Sequence, residues 1–438
     1  MRHVRPTDRE IVRLAVPALG ALAAEPLYVL VDTAIVGHSG TPQLGGLAVA
    51  STLILSGYTV FIFLAYGTTG TVARLLGAGH RERAAAQGVQ AMWLALGIGG
   101  ALALAGLLAA SPLVSAMGAT GDVARYARTY FLISMVGLPS LTLVLAGTGY
   151  LRGLQDTRTP LLVALGSSIG NLVLELVFVF GLDLGVAGSA WSTVIAQTAA
   201  AGVYVAVVGR HVVANGVAVR PDRRALAALS RLSADLFVRT VALRAALIAV
   251  TAAATRLGTV DVAAHSIAFE LWSFLALVLD SLAIAAQAMI GRLLGGGNAE
   301  GAREVGRRLL QWGVALGVLF GVIVLALHTV LPNVFTDDQR VAHLAAFLLL
   351  FVAALQPLSA VVWVLDGVLI GAGDLRFLAY AMVGVAAVLG TGVALVLVLG
   401  AGIGWLWASL AAMQLGRFVL LTARWRTTAW QRLGASTN

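Results

Sequence analysis

The stretch Glu25-Pro26-Leu27-Tyr28-Val29-Leu30-Val31-Asp32-Thr33-Ala34-Ile35-Val36-Gly37 closes the first long apolar run of the chain, which extends from Ile11 to Val36. Such a run exceeds the roughly 20 residues that cross a bilayer as a helix. It places two carboxylates and a proline where hydrocarbon is expected. An ionised Asp at the centre of a membrane helix costs about 2.5–3.5 kcal/mol on insertion scales, so such a residue faces a cavity or a partner. Glu25 and Asp32 are two helical turns apart and project from one face. Pro26 lacks the N–H that the helical ladder uses and clashes with the preceding turn, so a bend is expected there.

Outward from this stretch, the pattern repeats. Of 438 residues, 59% are hydrophobic and 11% are charged, with mean hydropathy +0.92. A soluble domain carries roughly 25% charged residues, so this surface does not all face water. After 11–36, further spanning runs fall near 46–68, 88–112, 128–150, 160–182 and 185–209. Six more lie near 233–255, 262–290, 307–332, 341–368, 376–400 and 402–424. The expected fold is an all-α polytopic membrane protein of twelve spans in two six-helix bundles. Residues 1–210 form the N-lobe, 211–231 a polar cytoplasmic linker, and 232–438 the C-lobe. The first run is too long for a signal-peptide core and is expected to remain as a span.

Charge fixes the orientation. The net charge of +9 comes from arginine alone. The arginines sit in short loops between apolar runs, the pattern of a membrane protein rather than of a nucleic-acid binder. With the N-terminus inside, the inner segments hold 23 arginines and the outer loops four, namely Arg125, Arg128, Arg256 and Arg340. Arg239 and Arg244 fall within span seven. The positive-inside rule then puts both termini in the cytoplasm. Cysteine is absent, which excludes a disulfide framework and cysteine-ligated zinc.

The two halves share one register. An offset of 218 aligns Gly40-Thr41 with Gly258-Thr259, and Arg74-Leu75-Leu76-Gly77 with Arg292-Leu293-Leu294-Gly295. It also pairs Gly153 with Gly371, Asp156 with Asp374 and Arg158 with Arg376. Six spans per half is an even number, so the repeats are parallel, an architecture in which substrate sites are expected at the repeat interface.

The repeat also separates structural from functional residues. Asp32 matches Val250, Asn171 matches Leu389, and Glu175 matches Val393. These polar groups therefore belong to the first half only. Asn171 and Glu175 share a face of span five, as Thr193 and Gln197 share a face of span six. By helical rise, Asp32 and Glu175 lie roughly 7 and 10 Å from the outer ends of their spans. Asp32, Asn171, Glu175, Thr193 and Gln197 are thus expected to line one polar pocket in the outer half of the first lobe. The bland alternative is that neighbouring backbone or hydroxyl groups satisfy each of them. Glu25, Arg244, Glu270 and Asp280 are secondary candidates. Arg244 and Asp280 are read either as a neutralising pair or as substrate contacts.

Other features point away from chemistry. Gly77-Ala78-Gly79 and Gly295-Gly296-Gly297 lack the Gly-Lys-Ser/Thr tail of a phosphate loop. The histidines lack metal-ligand spacing, so no metal is expected, and His265 reads as structural. Trp191, Trp405, Trp407 and Trp425 lie near span ends and are expected to anchor at the interface. No nucleophile with a base or metal cluster marks a membrane enzyme.

Pro26-Leu27 with Val31-Asp32-Thr33-Ala34-Ile35-Val36-Gly37-His38, Arg152-Gly153-Leu154-Gln155-Asp156-Thr157-Arg158-Thr159-Pro160, Leu243-Arg244, and Leu279-Asp280 leading into Ile290-Gly291-Arg292 resemble the multidrug and toxic compound extrusion (MATE) transporters, DinF-like branch. The resemblance covers nearly the whole chain. It implies a V-shaped pair of bundles in the bacterial inner membrane that exports cationic, amphipathic compounds in exchange for protons, or less favourably sodium, without a cofactor. The first-helix aspartate of that branch, its coupling residue, falls on Asp32. The Asn and acidic residue of span five fall on Asn171 and Glu175, where related members often carry Asp in place of Glu175. The expected partners are small organic cations and the lipid bilayer, with no nucleic acid, and the expected state is a monomer. The competing reading is a lipid-linked precursor flippase, which needs a basic, phosphate-binding cavity.

Overall fold

Each apolar run folds as helix. The structure, a computed structural model, describes residues 6–37 and 40–435, and among them there is no β-strand. The first half comprises α1 (Pro6–Gly37), α2 (Thr41–Tyr58), α3 (Phe63–Gly77), α4 (Arg81–Ala116), α5 (Gly121–Gly153), α6 (Arg158–Leu176) and α7 (Gly185–Ala214). The second comprises α8 (Arg223–Leu257), α9 (Thr259–Gly295), α10 (Ala299–Leu327), α11 (Gln339–Ala372), α12 (Leu375–Leu399) and α13 (Ile403–Arg426). Helices α2 and α3 are two pieces of the second span, broken by a 3₁₀ turn at Thr59–Ile62. Counted as one, they give twelve spans, six in each half. The outward faces are apolar, with Leu108, Val213 and Val398 about four-fifths exposed. Lipid rather than water covers such faces, and helices satisfy their backbone groups internally there.

The register of 218 is a packing register. A Cβ on Gly149 in α5 would stand 2.4 Å from the carbonyl oxygen of Ala65 in α3. Gly367 in α11 meets the carbonyl oxygen of Ala283 in α9 at the same 2.4 Å. Both residues of each contact are related by the offset. Only a residue without a side chain lets the helices approach so closely, as small-residue interfaces in membranes do.

The motif Asp156-Thr157-Arg158-Thr159 is a helix entry. The Asp156 carboxylate accepts from the Arg158 and Thr159 amides, each at 3.0 Å, and so caps α6. In the second half Asp374 takes Arg424 as its partner, at 2.6 and 3.1 Å.

The chain divides into two compact units: Val16–Ser233, and Met1–Ala15 with Ala234–Asn438. The two crossing points, after Ala15 and after Ser233, are themselves related by the offset. Both fall inside continuous helices, α1 and α8, so the first turns of α1 are grouped with the second half. Within that unit Asp8 accepts from Arg308 Nε at 2.6 Å and Nη2 at 2.8 Å, and from the Trp312 indole at 3.0 Å. Glu10 accepts from Arg292 at 3.0 Å. Within the other unit, α4 holds the backbone that leads into α8. Gln90 bonds the Arg220 carbonyl and the Asp222 amide, and Trp93 donates to the Val219 carbonyl. The stretch expected as a linker, 211–231, is mostly helical, because α7 continues to Ala214 and α8 starts at Arg223.

Two expectations are corrected in the second half. Trp407 and Trp425 are core residues rather than interfacial anchors, 2% and 8% exposed. Arg417, counted among the inner arginines, is buried in α13. Its Nη2 and the Nη2 of Arg239 both donate to Asp366 Oδ2 at 2.5 Å. A window of apolar residues reads the span and not the direction of one side chain, so arginines satisfied inside a bundle escape it.

Candidate functional site

A cavity of about 280 Å³ runs inside the first unit, walled chiefly by α1, α5, α6 and α7. Asp32, Asn171, Thr193 and Gln197 line it, while Glu175 lies behind the wall, 1% exposed. Four of the five residues expected to line one pocket are on its wall, and Glu175 is not. The helix α1 runs unbroken through Pro17 and Pro26. Pro26 leaves the Leu22 carbonyl without its helical donor, and Leu22 is on the cavity wall. The side chain of Glu25 lies outside the described residues. Asp280 is buried in α9, and Arg244 and Glu270 are exposed on α8 and α9. None of these three lines the cavity.

Asp32 is held from two sides. Ser189 of α7 donates its hydroxyl hydrogen to Oδ1, and the Tyr130 hydroxyl of α5 reaches Oδ2 at 3.5 Å. Asn171 donates to Ser192 at 3.3 Å and to the Thr193 hydroxyl at 3.1 Å, and that hydroxyl also meets Tyr28 at 2.9 Å. The Glu175 carboxyl interacts with that of Asp32. The Ser189 hydroxyl also lies beside Glu175, but it is Asp32 that it bonds, and neither oxygen of Glu175 makes a well-formed hydrogen bond among the described residues. The side-chain oxygen of Asn171 is also buried without a donor. Two residues beyond Glu175 the helix widens into a π-turn, Val177–Gly181, an irregularity frequent at functional sites.

Two holders of Asp32 escaped the sequence reading. Ser189 lies one turn before Thr193 on the stripe that continues to Gln197, so extending that stripe by four residues finds it. Tyr130 stands 98 residues from Asp32, and nothing local marks it. His265 is buried in α9, with its Nε2 3.1 Å from the Thr251 hydroxyl and its ring packed beside Phe269 and Trp407.

Chemically, the arrangement offers acceptor oxygens in excess of donors at a closed, buried spot beside the cavity. That composition takes up a proton or a small cation. Among the described residues no group of three or more His, Cys, Asp or Glu is assembled for a metal.

A sequence profile of the MatE family matches residues 17–177 and 238–396, one segment in each half. The chain belongs to the MATE family. Among its relatives, Protein DETOXIFICATION 44, chloroplastic, of Arabidopsis thaliana is 32% identical over 387 residues, covering 85% of this chain and 74% of its own. DNA damage-inducible protein F of Escherichia coli K12 is 29% identical over 436 residues, covering 97% and 94%. A crystal structure of MATE in the bent conformation superposes with TM-score 0.85 at 19% identity, over 97% of this chain and 95% of that one. That likeness shows the fold of twelve membrane helices. MATE proteins are transporters and not enzymes, and they need no cofactor. This MATE protein is a multi-pass membrane transporter of the multidrug and toxic-compound efflux type, handling small organic substrates.

Proposed function

We propose that this MATE protein exports cationic, amphipathic molecules across the bacterial cytoplasmic membrane in exchange for protons, with both termini inside. The observation that carries the reading is Glu175, a buried carboxyl beside Asp32 whose oxygens make no well-formed hydrogen bond among the described residues. A carboxyl in that position is satisfied by a proton of its own, which it donates to its neighbour. Two adjacent carboxyls in a dry site share protons as a unit. An arriving organic cation brings the charge that lets the pair ionise, and an arriving proton removes the attraction for the cation. Cation and proton then exclude each other at one site, which is what exchange requires. Movement of α1 around Pro26, where one backbone bond is missing, supplies a point at which protonation of Asp32 alters the helix.

A second reading, sodium exchange, has one observation in its favour. The donor-free oxygens of Glu175 and Asn171 lie on one face of α6, next to Asp32. Hard cations take such oxygen ligands.

Counterflow of a fluorescent organic cation in proteoliposomes, with pH and sodium gradients imposed separately, tests both. Wild-type protein is expected to export on an inward proton gradient, and Asp32→Asn to reach the membrane and export nothing. Export by Asp32→Asn at the wild-type rate discards the mechanism. Response to sodium alone transfers the reading to sodium.

A further inference from the structure

The cavity that begins at Asp32 ends at an arginine. Its α5 wall is a single helical stripe, from Tyr130 beside Asp32, through the apolar Leu138, Leu141 and Leu145, to Arg152. Arg152 stands one residue before the end of α5 and is 6% exposed. Its guanidinium makes no hydrogen bond or ion pair among the described residues, and its Nε is buried without a partner. Asp156, four residues on, is hydrogen-bonded in the cap of α6, and both it and Arg152 act electrostatically on the Tyr204 hydroxyl. Tyr204, packed across Gly147, closes the side of this end and turns its hydroxyl to Thr148 at 2.9 Å. A buried guanidinium without a hydrogen-bonded ion pair is costly, and in membrane proteins such charges mark the path of what is carried.

A basic residue in the last turn of a helix does gain from the helix dipole. That accounts for a cation at this position but not for a guanidinium that makes no hydrogen bond or ion pair among the described residues. The repeat makes the stronger case. The position equivalent to Arg152 is Ile370, 3% exposed, just as the position equivalent to Asp32 is Val250, fully buried. The bundle packs at both places with apolar residues. The first half alone carries a charge at each end of its cavity, acidic at one and basic at the other.

Distance decides how the two ends are used. Tyr130 and Arg152 are separated by six helical turns, about 33 Å along α5 at 1.5 Å per residue. A drug-sized cation seated at Asp32 does not reach Arg152, so the ends act as separate stations. We infer that Arg152 forms an anion station in the same cavity, taking the acidic head, carboxylate or phosphate, of a single-chain amphiphile whose tail lies along the apolar α5 stripe. Guanidinium matches both heads with paired donors. The inference rests on the cavity being the cargo cavity, and extends the cargo from cations to acidic amphiphiles.

The test compares binding of a fluorophore-labelled dodecanoic acid with that of its methyl ester, using the full chain in phosphatidylcholine nanodiscs. Wild-type protein is expected to prefer the acid by about ten-fold or more, the range for a charge-assisted hydrogen bond. Arg152→Ile, which installs the residue of the repeat position, is expected to bind acid and ester alike. Arg152→Lys keeps the charge and is expected to retain a measurable preference if the isoleucine variant fails to fold. Equal binding of acid and ester by the wild type overturns the station, as does an unchanged preference in Arg152→Ile. So does a lost preference in Arg152→Lys in that fallback. A fluorescent organic cation, measured in parallel, separates the two readings. Its loss in Asp32→Asn with the acid preference intact supports both. Its persistence in Asp32→Asn overturns the carboxyl-pair mechanism and leaves the Arg152 station standing.

Discussion

Ser189 in α7 donates its hydroxyl hydrogen to Asp32 in α1, across 157 residues of chain. This bond decides which of two neighbouring carboxyls is satisfied. Ser189 has one hydrogen to give and it goes to Asp32, while Glu175 beside them receives none from a neighbour among the described residues. A hydrogen bond to a charged group is worth roughly 1.5–3 kcal/mol. Ser189→Ala is therefore expected to weaken binding of an organic cation by about ten-fold or more, because the ionised Asp32 loses its strongest donor. Ser189→Thr keeps the hydroxyl and should stay near wild type. Equilibrium binding to purified protein measures both, and equal affinity in the alanine variant would show that the bond carries no functional weight.

Glu175 leads to a stoichiometric prediction. If the two carboxyls hold protons that the cation displaces, addition of cation to detergent-solubilised protein releases protons into weakly buffered solution. Glu175→Gln is neutral at every pH and keeps the shape of the side chain. It is expected to release about one proton fewer per bound cation, the share of one titrating group in a coupled pair. A pH-indicator dye reads the count directly. Unchanged release would place the exchangeable protons elsewhere.

Much of this was legible before any coordinates. A carboxylate inside an apolar run stands out against its surroundings, and the repeat shows at once that Asp32, Asn171 and Glu175 lack polar counterparts. The register of 218 proved to be the register of close helix contacts, since glycines that recur at a fixed offset do so where backbones touch. What stayed hidden has a common physical cause. Tyr130 and Ser189 act through tertiary proximity, and nothing within a few residues of either announces it. Arg152 and Arg417 look like arginines at span ends, because charge counting treats a buried guanidinium and a solvated one alike. The break between α2 and α3 was also unmarked, since its repeat mate α9 carries the same apolar length without interruption.

Asp366 accepts from Arg239 and Arg417 through one oxygen, so its removal takes the shared counter-charge from two buried guanidiniums. Breaking a buried ion pair on one side costs about 3–5 kcal/mol. Asp366→Ala is expected to lower the melting temperature sharply, or to prevent accumulation of folded protein. Combining it with Arg417→Leu removes one of the stranded charges and should recover part of the loss. Fluorescence-detected size exclusion after heating ranks the variants. An Asp366→Ala protein as stable as wild type would mean that water or lipid reaches this cluster.

The acidic residues at the start of α1 differ in burial, and their variants should differ accordingly. Asp8 is 6% exposed and accepts from both Arg308 and Trp312. Glu10 is bridged to Arg292 across a partly exposed pair. Exposed bridges contribute little, because water and salt screen them. Asp8→Ala is therefore expected to lower thermal stability clearly, and Glu10→Ala to lower it slightly. Raising salt should narrow the gap between wild type and Glu10→Ala more than that for Asp8→Ala. Equal effects of the two substitutions would show that the start of α1 is held by something other than the Asp8 cluster.

The duplicated glycine contacts allow a paired experiment. A methyl group at Gly149 or Gly367 would be placed 2.4 Å from a helix carbonyl oxygen, a separation that forces the helices apart. Overpacking of this kind costs about 1–3 kcal/mol, and the neighbour here is backbone, which yields least. Gly149→Ala and Gly367→Ala should each lower the melting temperature, by similar amounts, since the same two positions meet in both halves. Activity should respond unequally. Gly149 lies in α5, between Arg152 and the apolar part of the cavity wall, so its substitution is expected to reduce transport by the surviving folded protein. Gly367 lies in the half whose helices do not line that cavity, so the folded fraction should transport at close to the wild-type rate. Thermal scans and counterflow on the same preparations separate the two effects. Equal loss of transport in both variants would show that the halves contribute alike to the working cavity, contrary to the asymmetry on which the site is argued.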